Sequence, residues 1–410
     1  MADIAWSQAD FIARPLCRMW PKKLHPVIAT NPSRLVVAAG STLYSYSFSD
    51  NPDVTSPKMS LEGSVSLLDD PESPRNITAI SFLPDGGEDR TLLVTFQDGA
   101  IDQVVLNAVH GSTDDSEHGH DHPSSIYVSK TTREVLTKDY IESISAPRDS
   151  STLLTLSSYN TATLYRQNPN DPNDLASVST LKLGGTTRSW TCLLSPKSST
   201  PYALFGTASS TPLNLHLITE SSILPNPSAI LHTHKAEERK LAEMSALPVY
   251  GIAHGPPCSP WGSSPYIIVS GWYDGQVRCY DLRTPSILSP ELPSSTSEVT
   301  TPALHRPVLS LADRWSFEPI YSISTGGGGG SHIAAGTARH SVVSFWDVRS
   351  SSKGWSVHAP GNDPSPVYDV VLESSRFFGV TQSRAFVYDF VSALFLFFLS
   401  FRLLFRGMVH

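Results

Sequence analysis

A three-part unit recurs seven times along this chain, and that repetition constrains the fold more than any other feature. Each unit opens on an apolar stretch with strand character: Pro26 to Ala29, Ile77 to Phe82, Ile141 to Ser145, Trp190 to Leu194, Val249 to Ala253, Ile320 to Ser324 and Val367 to Leu372. A hairpin pattern follows each of them, an apolar run joined by a tight polar turn to a second run that alternates with period two. The hairpins are Leu35 to Ala39 with Thr42 to Phe48, Leu92 to Phe96 with Ile101 to Leu106, Leu153 to Leu156 with Thr161 to Arg166, Tyr202 to Phe205 with Leu213 to Ile218, Ile267 to Ser270 with Gln276 to Leu282, Ile333 to Ala335 with Ser341 to Val348, and Phe377 to Val380 with Ala385 to Asp389.

Weaker stretches at Lys58 to Leu61, Ile126 to Ser129, Val178 to Leu183, Ala229 to His232 and Trp355 to His358 supply a fourth, outer strand. Seven four-stranded antiparallel units in series predict an all-β fold, a seven-bladed β-propeller with long loop insertions. The expected boundaries are an N-terminal segment 1–23, a propeller 24–390 and an apolar tail 391–410. The segment near Ile4 to Ser7 is the candidate outer strand of the last blade, which would join the two chain ends and remove an open sheet edge.

Glycines 206, 271 and 336, read as turn residues, recur at steps of 65 residues, longer than the roughly 40 to 45 of an ordinary blade. The excess is assigned to loops: the Ser/Pro/Asn tract 167–174, the charged run 232–244, the Pro/Ser/Thr tract 284–303 and the five glycines 326–330. Composition agrees, because 32 prolines, 25 glycines and only 17% charged residues disfavour long helices. The net charge of -8 lacks the basic footprint of a nucleic-acid binder. Cys17, Cys192, Cys258 and Cys279 are widely spaced with no C-x-x-C pair, which predicts reduced thiols and a cytoplasmic or nuclear setting rather than a disulfide framework or a zinc site.

At Cys279-Tyr280-Asp281-Leu282-Arg283 and Phe345-Trp346-Asp347-Val348-Arg349 the third strand ends in aromatic, Asp, apolar, Arg, with a weaker echo at Tyr388-Asp389. This resembles the Trp-Asp ending of WD40 repeats, in which the aromatic packs between blades and the Asp closes a turn. Arg14-Pro-Leu-Cys-Arg-Met-Trp20, Val269-Ser-Gly-Trp-Tyr-Asp-Gly275, Ala338-Arg-His-Ser-Val-Val-Ser-Phe-Trp-Asp347 and Gly354-Trp-Ser-Val-His-Ala-Pro-Gly-Asn362 are similar to stretches of fungal F-box/WD-repeat proteins. That resemblance runs from about Trp6 to Phe390 and implies the substrate-recognition propeller of a cullin-RING ubiquitin-ligase receptor. Fewer than 25 residues precede the first blade, including Pro15 and Pro21, and they hold no recognisable F-box. A second reading within the same pathway takes Trp346, Asp347 and Arg349, with Asp281 and Arg283, as a WDxR motif that docks on a propeller adaptor of another cullin ligase. A general WD-repeat assembly scaffold is a further alternative.

All turns between second and third strands open on one face of a propeller, and they hold Gln97, Tyr159, Trp272, Tyr273, Arg339, His340 and Arg384, with Arg188 on the same rim. Aromatics and arginines dominate binding hot spots, so this rim is the candidate site for a protein or peptide ligand. The competing reading has Trp272 packed between blades and the arginines as ordinary solvated turn residues. No metal, cofactor or catalytic residue is expected. The histidine-rich segment 110–122 lacks apolar anchors to fix ligands. Gly326 to Gly330 are not followed by Lys-Ser/Thr, and no G-x-S-x-G elbow or H-E-x-x-H pair occurs. A hydrolase or lyase built on a propeller, the alternative of a different class, would need polar residues converging inside the channel. The run 232–244 reads as a short helical turn on a surface insertion. The Phe/Leu-rich run after Phe390 is shorter than a membrane span. It reads as translated intron sequence or a gene-model artefact, with a tail anchor and a buried closing strand as the alternatives.

Overall fold

The computed structural model describes residues 6, 9–48, 59–68, 75–108, 126–132, 139–147, 151–168, 171–185, 188–233, 247–258, 261–284, 302–361 and 364–390. These form seven sheets, each counted from an inner to an outer strand. Blade 1 is Val27–Thr30, Arg34–Ala39, Thr42–Phe48 and Met59–Ser66; blade 2 is Ile77–Phe82, Thr91–Phe96, Ile101–Ala108 and Ile126–Thr132. Blade 3 is Ile141–Ser145, Thr152–Ser157, Thr161–Asn168 and Asp171–Lys182, and blade 4 is Arg188–Ser195, Tyr202–Ala208, Leu213–Leu217 and Ala229–Leu231. Blade 5 is Val249–His254, Ile267–Trp272, Gln276–Asp281 and Leu309–Ala312; blade 6 is Ile320–Gly326, His332–Thr337, Val342–Asp347 and Trp355–His358. Blade 7 takes Val367–Glu373, Arg376–Thr381 and Ala385–Asp389 from one end of the chain and Ile12–Pro15 from the other. The seven-bladed all-β propeller expected from the repeats is therefore the fold.

The second strands read as continuous apolar runs and are buried on both faces; Arg34–Ala39, Thr91–Phe96, Ile267–Trp272 and His332–Thr337 have no exposed position. Burial on both faces follows from sheet stacking, since each blade is covered by a neighbour on either side. The core accordingly lies between blades: Val36 and Leu43 of blade 1 share one cluster with Leu92, Val94 and Val104 of blade 2. Inner strands are also stapled across the ring by hydrogen bonds. Cys192 N and Leu194 N donate to the hydroxyls of Ser143 and Ser145, and Leu372 N donates to Ser324 Oγ. Where the ring closes, Ile28 N donates to the carboxylate of Asp369 at 2.9 Å.

Several expectations change. The closing strand is Ile12–Pro15, paired from Ile12 opposite Asp389 to Pro15 opposite Phe386, and not the segment near Ile4 to Ser7, most of which lies outside the described residues. Arg14 reaches the Asp389 carboxylate from this strand, so a contiguous ladder and an ion pair select the later segment. Glycines 206, 271 and 336 are not turn residues. They sit inside second strands, where a Cβ would lie 2.7 Å from Val249 O, 2.6 Å from Ile320 Cγ2 and 2.8 Å from Val367 O of the following blade. Residues 171–174 of the tract assigned to a loop begin the outer strand of blade 3, and Asn168 pairs with Asp171 across the connection. Within the tract 284–303, Ala303 opens a strand Ala303–His305 that runs parallel to Ala229–Leu231 and adds a fifth strand to blade 4 before the chain returns to blade 5. Gly326 ends the inner strand of blade 6 opposite His332, and the other four glycines lie in the connection to the second strand, with Gly327 against the Trp6 ring. The histidine-rich segment 110–122, nearly all of the run 232–244 and the tail 391–410 lie outside the described residues.

Candidate functional site: an aromatic collar at the channel mouth

Six of the seven inner strands are irregular at the same place. Their pairing skips one residue between Ile77 and Ala79, Ile141 and Ser143, Ser189 and Thr191, Val249 and Gly251, Ile320 and Ser322, and Val367 and Asp369. The skipped residues are Thr78, Glu142, Trp190, Tyr250, Tyr321 and Tyr368. A β-bulge takes a residue out of the ladder and re-aims its side chain, and all six line one cavity of about 670 Å3 in the central channel. Blade 1 has no such shift, and His25 just ahead of its inner strand completes the ring against Tyr368.

The result is a nearly continuous band of rings. Trp190 and Tyr250 meet edge to face at 4.8 Å, Tyr250 and Tyr321 lie 5.0 Å apart, Tyr321 and Tyr368 6.4 Å, and Tyr368 and His25 3.8 Å. The Arg188 guanidinium lies 3.8 Å over the Trp190 ring and donates to Glu142 at 3.0 Å, a stacked and ion-paired arrangement that holds the indole in place. Burial pushes the Glu142 carboxyl up despite Arg188. It also lifts the Tyr250 phenol to about 12, aided by Tyr321 and Tyr273. Burial, with Arg188 nearby, lowers His25 to about 4, so its ring is uncharged at neutral pH. The collar thus offers neutral aromatic faces, phenolic hydroxyls and one pre-formed ion pair, which suits binding by contact area and directed hydrogen bonds.

The rim residues expected from sequence divide into three groups. Arg188 belongs to the collar, and Tyr273, 40% exposed, extends it with its ring 6.3 Å from Tyr250. Trp272 is corrected: it is fully buried, with its Nε1 donating to Ser270 Oγ at 2.8 Å and its ring 4.8 Å from the buried Arg278 guanidinium. Its place at the end of a second strand turns it between blades, while its neighbour points outward. Arg339 and His340 occupy the blade 6 turn, where both backbone N–H groups donate to Glu318 and the His340 imidazole pairs with the same carboxylate. The Arg384 guanidinium packs on Gly361, where a Cβ would stand 2.9 Å from it. Gln97 is bonded to Asn76, and Tyr159 is 63% exposed at the blade 3 turn.

His25, Glu142, Trp190, Tyr250, Tyr321 and Tyr368 were missed by sequence reasoning. A signal for three of them exists, because Pro-Val-Tyr at 248–250, Pro-Ile-Tyr at 319–321 and Pro-Val-Tyr at 366–368 open consecutive inner strands.

The Trp-Asp endings lie on the opposite face. Asp281 accepts from Arg283 N at 3.0 Å and from its side chain at 2.8 Å, and Asp347 accepts from Arg349 N at 2.9 Å and from its side chain at 2.7 Å. Tyr280 and Trp346 are buried. The Asp closes a turn and the aromatic packs inside, as expected. The arginine folds back on that Asp while remaining about half exposed. Blade 7 repeats the theme, with Asp389 held by Arg376 at 2.7 Å and by Arg14 at 2.9 Å.

Fold and collar together define a seven-bladed β-propeller with an aromatic mouth. Among solved structures, the chain is similar to Chaetomium thermophilum Sqt1, a WD40 propeller solved bound to the N-terminus of the ribosomal protein L10. The TM-score is 0.55 over 88% of this chain and 83% of that one, at 14% identity, a likeness of fold. No family model and no curated protein matches the sequence.

Proposed function

We propose that this protein is a non-enzymatic interaction scaffold whose propeller receives a peptide segment of another protein at the aromatic collar. One observation carries this reading: six independent bulges at the same strand position direct side chains to a single mouth, and four of the six are aromatic. Bulges interrupt ladder bonds, so their repetition favours a ligand-facing role over a packing role. Sqt1, solved with a protein N-terminus bound, is a propeller precedent for such a ligand.

The finer reading is that the scaffold selects substrates for a cullin-RING ubiquitin ligase in the cytoplasm or nucleus. Its support is the resemblance of residues 14–20, 269–275, 338–347 and 354–362 to F-box/WD-repeat proteins. The exposed Arg283 and Arg349 on the opposite face favour the adaptor-docking variant of the same reading, because they leave the collar open for substrate.

Affinity capture with quantitative mass spectrometry tests both levels. Tyr250→Ala with Tyr321→Ala should remove ligand proteins by about ten-fold or more, the scale of lost hot-spot aromatics, while Arg283→Glu with Arg349→Glu retains them. Ligands kept by the collar variant at an unchanged melting temperature refute the collar. A Skp-type adaptor in the eluate supports the F-box reading, a propeller adaptor lost with Arg349→Glu supports the WDxR reading, and neither adaptor leaves a general scaffold.

A further inference from the structure

A second surface stands apart from the channel. Trp315, 88% exposed, and Phe317, 78% exposed, are the most exposed large apolar side chains among the described residues. They lie on the connection from the outer strand of blade 5 to the inner strand of blade 6. That connection is fastened at both ends. Trp315 N donates to the buried Asp313 at 2.8 Å, and Ser344 Oγ of blade 6 donates to the other oxygen of the same carboxylate. Glu318 accepts from Arg339 N and His340 N, and the backbone of Phe317 and Glu318 packs on Gly275, where a Cβ would stand 3.0 Å away. The two aromatic rings are therefore presented to water by a pinned backbone, so a partner would meet them with little ordering cost.

Between them opens a pocket of about 350 Å3, with Val342, Val357, His340 and Glu318 in its wall. It shares no residue with the channel cavity. Both carboxylates of the region are committed inward, Asp313 to Trp315 N and Ser344, Glu318 to the blade 6 turn. Arg314 and Arg339 are exposed next in sequence to the wall residues Trp315 and His340, and Arg314 reaches Ser352 O, next to the exposed Lys353. A pocket of mixed lining, with two aromatic anchors and two valines, thus has cations next to its wall residues.

We infer that the blade 5–6 shoulder is a second docking site, and that it takes a partner segment placing a Leu-, Ile- or aromatic-type side chain in the pocket with Asp or Glu residues beside it. The aromatic anchors supply the contact area, and the three cations supply the sign preference and the approach rate. A shoulder site and a collar on one propeller let two segments of a partner bind at once, which multiplies the two affinities.

The test is selection of a displayed library of random peptides on the full chain, followed by fluorescence anisotropy with the enriched sequences as labelled synthetic peptides. The expected winners combine large apolar residues with Asp and Glu and weaken with added salt. Trp315→Ala or Phe317→Ala should each reduce their affinity by about ten-fold or more, and Arg314→Glu with Arg339→Glu should do the same, whereas Tyr321→Ala leaves it unchanged. Both aromatic positions are exposed, so these variants keep the fold, which an unchanged melting temperature verifies. Failure to enrich any peptide, enrichment of basic peptides, or winners indifferent to Trp315 and Phe317 overturns the inference. Winners lost with Tyr321→Ala but not with Trp315→Ala would belong to the collar, supporting that reading while overturning this one.

Discussion

The three strand glycines offer a sharp test of how the blades pack, with Gly336→Ala as the perturbation. An added Cβ would stand 2.8 Å from Val367 O and Cγ1 and 2.5 Å from Ser322 Oγ. The hydroxyl could rotate away, but the carbonyl belongs to the inner strand of blade 7, which pairs with Arg376–Thr381 and cannot shift alone. The contact is inside van der Waals range, so overpacking costs about 1–3 kcal/mol. Replacing glycine also removes freedom from the unfolded chain, which contributes about 0.4–1 kcal/mol in the opposite direction. Gly184→Ala is the matched control: it has the same unfolded-state benefit, no positive φ, and nothing within 4 Å of its Cβ. Subtracting one variant from the other cancels the entropy contribution and leaves the steric one, about 1–3 kcal/mol. Equilibrium urea unfolding, compared at the midpoint, reads this difference directly. A Gly336→Ala chain as stable as Gly184→Ala would show that blade 7 does not press on blade 6 at this point.

Three further outcomes follow from the same geometry. Trp272→Ala should destabilise the fold by about 3–5 kcal/mol, the range for emptying a buried indole site, whereas Tyr273→Ala next to it should leave the melting temperature within a degree or so of wild type and weaken ligand capture; equal melting temperatures for the two variants would refute the assignment. The Asp369 carboxyl is pushed up to about 6 by burial, above its usual value of about 4. The folded state therefore holds the proton more tightly, and the stability it contributes is complete below about pH 4 and lost as pH rises through 6. The melting-temperature difference between wild type and Asp369→Asn should accordingly shift against wild type from pH 5 to pH 7.5, while the opposite titration of His25 cancels between the two chains; a constant difference refutes it. Arg349→Ala removes an ion pair that is about half exposed on the arginine side, and its stability cost should stay under about 1 kcal/mol. A cost of several kcal/mol by urea unfolding would mean that the turn carries more of blade 6 than its exposure indicates.

Legibility was uneven across the molecule, for physical reasons. Strand alternation and the buried second strands are properties of short windows, and they appear at Arg34–Ala39 or Val342–Asp347 without knowledge of anything distant. The Trp-Asp endings were equally readable, since Asp347 accepts from a backbone two residues away. The outer strand of blade 5 was not, because Leu309–Ala312 follows an excursion that first adds Ala303–His305 to blade 4. In the candidate site, Tyr273 was reachable from its turn position and Arg188 from its place at a strand entry. Tyr250, Tyr321 and Tyr368 follow apolar residues in strand runs, and plain alternation counts them as ordinary sheet positions.

By itself, then, the sequence determined the number of blades, the order of the three inner strands within each, and the polar turns between them, because those follow from local periodicity and turn chemistry. Tertiary structure alone decided which side of each strand would meet another blade. It turned Trp272 inward and Tyr273 outward, made Gly206, Gly271 and Gly336 necessary through a neighbour that the chain supplies only later, chose Ile12–Pro15 as the closing strand, and gathered six bulged residues into one mouth. These relations join residues tens to hundreds of positions apart, and they exist only once the ring has closed.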